Sequence, residues 1–143
     1  MRTIFGVGAE MRGDDAAGLV AARRLQELGL PAAARRPDDL VSDWHSTDDV
    51  VVIDAVRSGA APGTLHRIDA LRDALPPTLS SSTHLLGLAD AISLARTTGR
   101  LPRSLEVIGI EAGSFELGAG LSPDVERAVD RVVSELAAAR SAG

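Results

Sequence analysis

Val50-Val51-Val52-Ile53, four β-branched apolar residues in a row, stands between the acidic pair Asp48-Asp49 and the single carboxylate of Asp54. A short apolar run bounded by charge reads as a central strand buried on both faces. Asp54 is expected to end it. Toward the N-terminus, Thr3 to Val7 reads as a first buried strand, and Asp14 or Asp15 opens a helix in which Val20 or Ala21, Leu25 and Leu28 recur at helical spacing until Gly29 stops it. Ala32 to Arg36 is a weak strand, followed by a turn or short helix over Pro37 to Ser46. Toward the C-terminus, glycines and Pro62-Gly63 turn the chain into an edge strand at Thr64 to Ile68.

Ser80 to Thr83 offers candidate caps for a helix whose apolar stripe is Leu85, Leu88, Ile92 and Ala95, with Gly99 as terminator. Leu105 to Ile110 is the last strand. Ser122-Pro123 starts a final helix with Val125, Val129, Val132 and Leu136 on its buried face, and the residues from about Arg140 are expected to fray. Strand and helix signals alternating from end to end define an α/β domain, its mostly parallel sheet covered on both faces. At 143 residues, a single domain spanning 1–143 is expected.

Composition removes several classes of function. There is no cysteine, hence no thiolate nucleophile, disulfide or sulfur ligand, and any metal site must use oxygen and imidazole. All fifteen basic residues are arginine, which excludes lysine chemistry. A formal charge of -5 opposes duplex-DNA binding, and the three aromatics, Phe5, Trp44 and Phe115, make no stacking platform for single strands. No nucleic acid is expected as partner. Without a long apolar span or a signal-peptide pattern after Met1, the chain is expected to be cytoplasmic and away from membranes. A monomer is expected.

Ligands of open α/β sheets bind outside the carboxyl ends of the strands. Here that edge collects the loop Gly6 to Asp15, Asp54, and the segment around His84. The loop begins Gly6-Val7-Gly8, but Met11 occupies the third glycine position of a dinucleotide fingerprint, and Asp14-Asp15 would repel a pyrophosphate. A phosphorelay receiver would need a lysine that the chain lacks. Asp14 and Asp15, taken singly, are explained by the helix dipole, worth about 0.3 to 1 kcal/mol. Asp54 is harder to explain structurally, because a charge ending an apolar strand is costly unless paired, hydrogen-bonded or wet. His84 at a helix start suits a neutral imidazole ligand. His45 and His66 read as ordinary surface residues, and Trp44 as the cover of a core edge.

Four stretches in order, Gly6-Val7-Gly8 through Arg12-Gly13-Asp14-Asp15 to Gly18, Val51-Val52-Ile53-Asp54-Ala55-Val56 with Pro62-Gly63, Ser82-Thr83-His84-Leu85-Leu86-Gly87-Leu88, and Gly109-Ile110-Glu111 with Gly118-Ala119-Gly120-Leu121-Ser122-Pro123, resemble the hydrogenase maturation proteases. The resemblance implies a three-layer sandwich of the phosphorylase/hydrolase-like kind, its five-stranded mixed sheet having one antiparallel strand. It implies an endopeptidase, grouped with the aspartic type, that removes the C-terminal peptide of a hydrogenase large-subunit precursor already loaded with nickel in cysteine ligands. It also implies a nickel-recognising site of Asp15, Asp54 and His84, with Asp54 and Asp15 as the catalytic carboxylates. Oxygen and imidazole donors alone do not select nickel over zinc, so the metal would be brought mainly by the substrate.

Three departures stand out. Ala9 replaces a usual asparagine, Ala16 a frequent glycine, and Arg36-Pro37-Asp38-Asp39 a Gly-Gly-Thr-like loop. They keep two alternatives open: a metal-sensing assembly factor that does not cleave, and a same-fold peptidase with a non-hydrogenase substrate.

Overall fold

In the computed structural model, residues 2–79 and 87–142 are described, with side chains as far as 139. The central run of β-branched residues forms β3, Asp49–Val56, in the middle of a five-stranded sheet. Its neighbours are β1, Arg2–Gly6, and β5, Ser104–Glu111, both parallel to it; β2, Ala32–Ala34, lies outside β1. The other edge is β4, Leu65–Asp69, antiparallel to β5. The order is therefore β2-β1-β3-β5-β4, with one antiparallel pair as the resemblance implied.

Asp54 does not end its strand. β3 continues through Ala55 and Val56, which pair with Ile110 and Glu111 of an equally long β5. Cross-strand partners of matching length override the local stop that a charge suggests. β2, by contrast, is only three alanines long, shorter than the sequence suggested.

Alternation along β3 separates two cores. Val51 and Ile53 face one side, with Ile108 and Ile110, under α1, Ala17–Glu27, and α4, Pro123–Ala142. Val50, Val52 and Val56 face the other, with Trp44 and Leu105, under α2, Leu40–Asp43, and α3, Leu88–Thr97. All four residues expected on the buried face of α4, Val125, Val129, Val132 and Leu136, lie in the first core. Helices on both faces complete the three layers.

Local chemistry closes the end of α1 and the start of α3. Gly29, φ 85°, takes the left-handed conformation after α1, and Gly87 N–H donates to the Asp90 carboxylate at the start of α3. Ser80 to Thr83 and Leu85, expected to cap and extend that helix, lie outside the described residues. Leu28 differs from its expected core position: α1 ends at Glu27, and Leu28 is exposed beyond it. Trp44 is fully buried, and its indole N–H donates to Arg100 O at 2.8 Å, tying α2 to the loop after α3. No helix among the described residues is long and apolar enough to cross a membrane.

Candidate active site

The strand order fixes where a site can form. From β1 the chain crosses to β2 on one side, while β3 continues to β5 on the other, so the topology reverses between β1 and β3. A crevice opens outside the carboxyl ends of such a strand pair. Asp15 and Asp54 both belong to this place.

Asp15 lies in a single 3-10 turn, Gly13–Ala16, that leads into α1. The turn is set close against the sheet because Gly18 packs without a side chain: a Cβ there would stand 2.2 Å from Ile53 O and 2.5 Å from Val7 O. Asp15 is one turn before that contact and Asp54 is the residue after Ile53. Val7 N–H donates to Ile53 O, and Ala9 N–H to Asp15 O, so the loop between β1 and the turn is bonded to both neighbourhoods. Asp15 is 1% exposed and Asp54 0%. Arg12 Nη1 stands 3.7 Å from Asp15 Oδ2, and Asp54 Oδ1 accepts the Ala55 N–H at 2.8 Å. His84, the third expected site residue, lies outside the described residues. On the near side of that segment, Leu79 bridges Val56, two residues beyond Asp54.

The two adjacent aspartates have different tasks. Asp14, also buried, accepts hydrogen bonds from the backbone N–H groups of Gly113, Ser114 and Ser122 and from the Ser122 hydroxyl, at 2.5 to 2.9 Å. Burial opposes its charge, but these donors prevail, and the carboxyl is held below its usual value. Asp14 thus ties the first loop to the loop before α4, a tertiary role in place of the helix-dipole role.

Sequence reading missed a further buried carboxylate. Glu111, at the end of β5, is 1% exposed; its Oε2 accepts the Ser58 N–H at 2.9 Å and its Oε1 the Ser58 hydroxyl at 2.5 Å. His66 Nε2 stands 3.0 Å from the same Oε1, which corrects the reading of His66 as an ordinary surface residue. Again burial works against ionisation, and the Ser58 and His66 contacts outweigh it to lower the carboxyl's pKa. In register, Asp54 faces Gly109 and Gly109 faces His66, so one row crosses three strands on the α3 side of the sheet. A Cβ on Gly109 would meet Val56 Cγ2 at 2.3 Å. An apolar strand ending in an acid was the available clue to Glu111, the same clue that identified Asp54.

Beside the first loop, a groove of about 300 Å³ runs between Gly8 and Glu10 on one wall and Ala34, Arg35, Arg36 and Asp39 on the other. Arg36 and Asp39 of the altered stretch therefore lie across a groove from the first loop. Carboxylates of this kind suit hard and borderline divalent ions and can act as proton acceptors.

An α/β sandwich with buried acids at its switch point defines a class of protein in which carboxylate chemistry sits at the sheet's carboxyl edge. The chain belongs to the hydrogenase maturation protease family, whose model matches residues 33–139. It is 34% identical to the hydrogenase 2 maturation protease of Escherichia coli over 152 aligned residues, covering 98% of this chain and 91% of that one. Among solved structures, the E. coli hydrogenase maturating endopeptidase HybD superposes with a TM-score of 0.77 at 28% identity, over 99% of this chain and 93% of that one. The [NiFe] hydrogenase maturation protease HycI of Thermococcus kodakarensis gives 0.74 at 29% identity, over 95% and 89%. The family model begins after Asp15, whereas the E. coli relative spans almost the whole chain.

Proposed function

We propose that this chain is an endopeptidase that removes the C-terminal peptide from a hydrogenase large-subunit precursor, and that it acts once nickel is in place. The observation that carries the reading is the pair of buried acids, Asp15 and Asp54, at the switch point of a sheet shared with maturation endopeptidases. Nickel arrives as part of the substrate. Asp15, Asp54 and His84 supply oxygen and imidazole donors toward it, and selectivity comes from the precursor's own ligands and from docking geometry, since such donors accept several divalent ions.

Hydrolysis adds water across the scissile amide: a hydroxyl goes to the carbonyl carbon and a proton to the leaving nitrogen. Asp54 is assigned as the carboxylate that takes the proton from water, helped by Asp15, which makes the enzyme aspartic in type. Acid–base assistance supplies about 100- to 10,000-fold, so alignment of the bond by the docked metal centre must contribute the rest.

A mass-spectrometric assay on nickel-loaded and nickel-free precursor tests the proposal, with Asp54→Ala and His84→Ala as controls. Loss of one discrete C-terminal peptide, only with nickel and only with the unsubstituted protein, is expected. Nickel-dependent binding without cleavage would instead make the chain an assembly factor.

A further inference from the structure

Four large apolar residues are well exposed among the described residues: Met11, Leu28, Leu94 and Leu117. Leu28 and Leu94 are isolated on helices or their ends, and single exposed apolar residues need no explanation. Met11 and Leu117, 69% and 75% exposed, belong together. They sit on loops a hundred residues apart in sequence that are bonded side by side, Gly118 N–H donating to Met11 O at 2.9 Å and Asp14 N–H to Ser114 O at 2.8 Å. The four bonds accepted by the Asp14 side chain fix the same two loops. Their apolar side chains are therefore held out on a preorganised frame.

Phe115, half-buried on the second of these loops, carries two guanidinium groups. Arg57 Cζ lies 4.8 Å from the ring centroid and Arg12 Cζ 5.6 Å, both within cation–π range. A planar guanidinium steadied on a ring is well suited to receive a carboxylate. Two cations therefore share one ring at this rim. Arg12 also reaches Asp15, so the platform is continuous with the proposed site.

We propose that Met11, Phe115 and Leu117, with Arg12 and Arg57, form the docking platform for an acidic segment of the precursor polypeptide, an apolar side chain resting on Met11 and Leu117 beside a carboxylate taken by the arginines. The inference rests on the precursor being the substrate. Rigid loops, paired cations and exposed apolar side chains at one rim together match a partner with the complementary pattern.

The test is steady-state cleavage of nickel-loaded precursor by Arg57→Ala and by Leu117→Ser, with Leu94→Ser on α3 as control. Both platform variants raise KM about tenfold, the loss typical of truncating a well-used contact, while kcat and thermal unfolding stay near those of the unsubstituted protein. The salt dependence of KM also shallows in Arg57→Ala, because a charge pair is removed. An unchanged KM in either variant, with the unsubstituted enzyme active, overturns the platform and leaves the endopeptidase reading standing. An unsubstituted protein that neither binds nor cleaves the precursor overturns both.

Discussion

Asp14 and Asp15 are neighbours in sequence and both are buried, yet one ties two loops together and the other lies by the switch point with Arg12 3.7 Å away. Substitution separates the two. Asp14→Ala leaves three backbone N–H groups and a hydroxyl without their acceptor, and should lower the unfolding free energy by about 3 kcal/mol, read from urea unfolding midpoints. Asp15→Asn should change that free energy by less than about 1 kcal/mol while cutting the cleavage rate at least about 100-fold. Nothing in the dipeptide announces this division, because helix-dipole reasoning treats both acids alike and the partners of Asp14 lie around residues 113–122. Asp54 was legible because a charge in an apolar run is conspicuous. His66 was not, since its partner Glu111 is 45 residues away and meets it only through the antiparallel pairing of β4 with β5.

At the scale of elements, strand and helix identity followed from periodicity, and what escaped was set by neighbours. β3 outruns its apolar core because β5 is there to pair with Ala55 and Val56. The tight seat of α1 was equally hidden, for Gly18 reads in sequence as a mediocre helix residue. Gly18→Ala raises helix propensity by up to about 1 kcal/mol, but the new methyl collides with the carbonyls of Val7 and Ile53. The expected net result is destabilisation of about 1 to 3 kcal/mol, seen in thermal or urea unfolding. Because α1 carries the turn holding Asp15, cleavage should fall more steeply than the folded fraction does. Proportional losses would show that the helix position does not matter to the site.

For the molecule as a whole, acid is the condition that tests its polar joints. Asp14 and Glu111 both ionise more readily in the folded protein than in the unfolded chain, so below the ordinary carboxylate range the unfolded state binds more protons. Their stabilisation is full above that range and is lost as pH falls through the lowered folded values. The ion pair of Asp49 with Arg103, which lowers the Asp49 carboxyl to about 2, follows the same sign but sits at the surface. Unfolding midpoints should therefore decline on the acid side, and Glu111→Gln should flatten the decline. An acid limb of unchanged slope in Glu111→Gln would show that the Ser58 and His66 contacts do not discriminate between its protonation states.

Asp14 and Ser122 are 108 residues apart, and their bonds join the first loop of the chain to the residue just before its last helix. During synthesis, the loop presenting Asp15 emerges early but lacks its tether until Ser122, 108 residues after Asp14, has left the ribosome. A nascent chain, or one terminated before Gly113, is thus denied all four bonds that fix this loop.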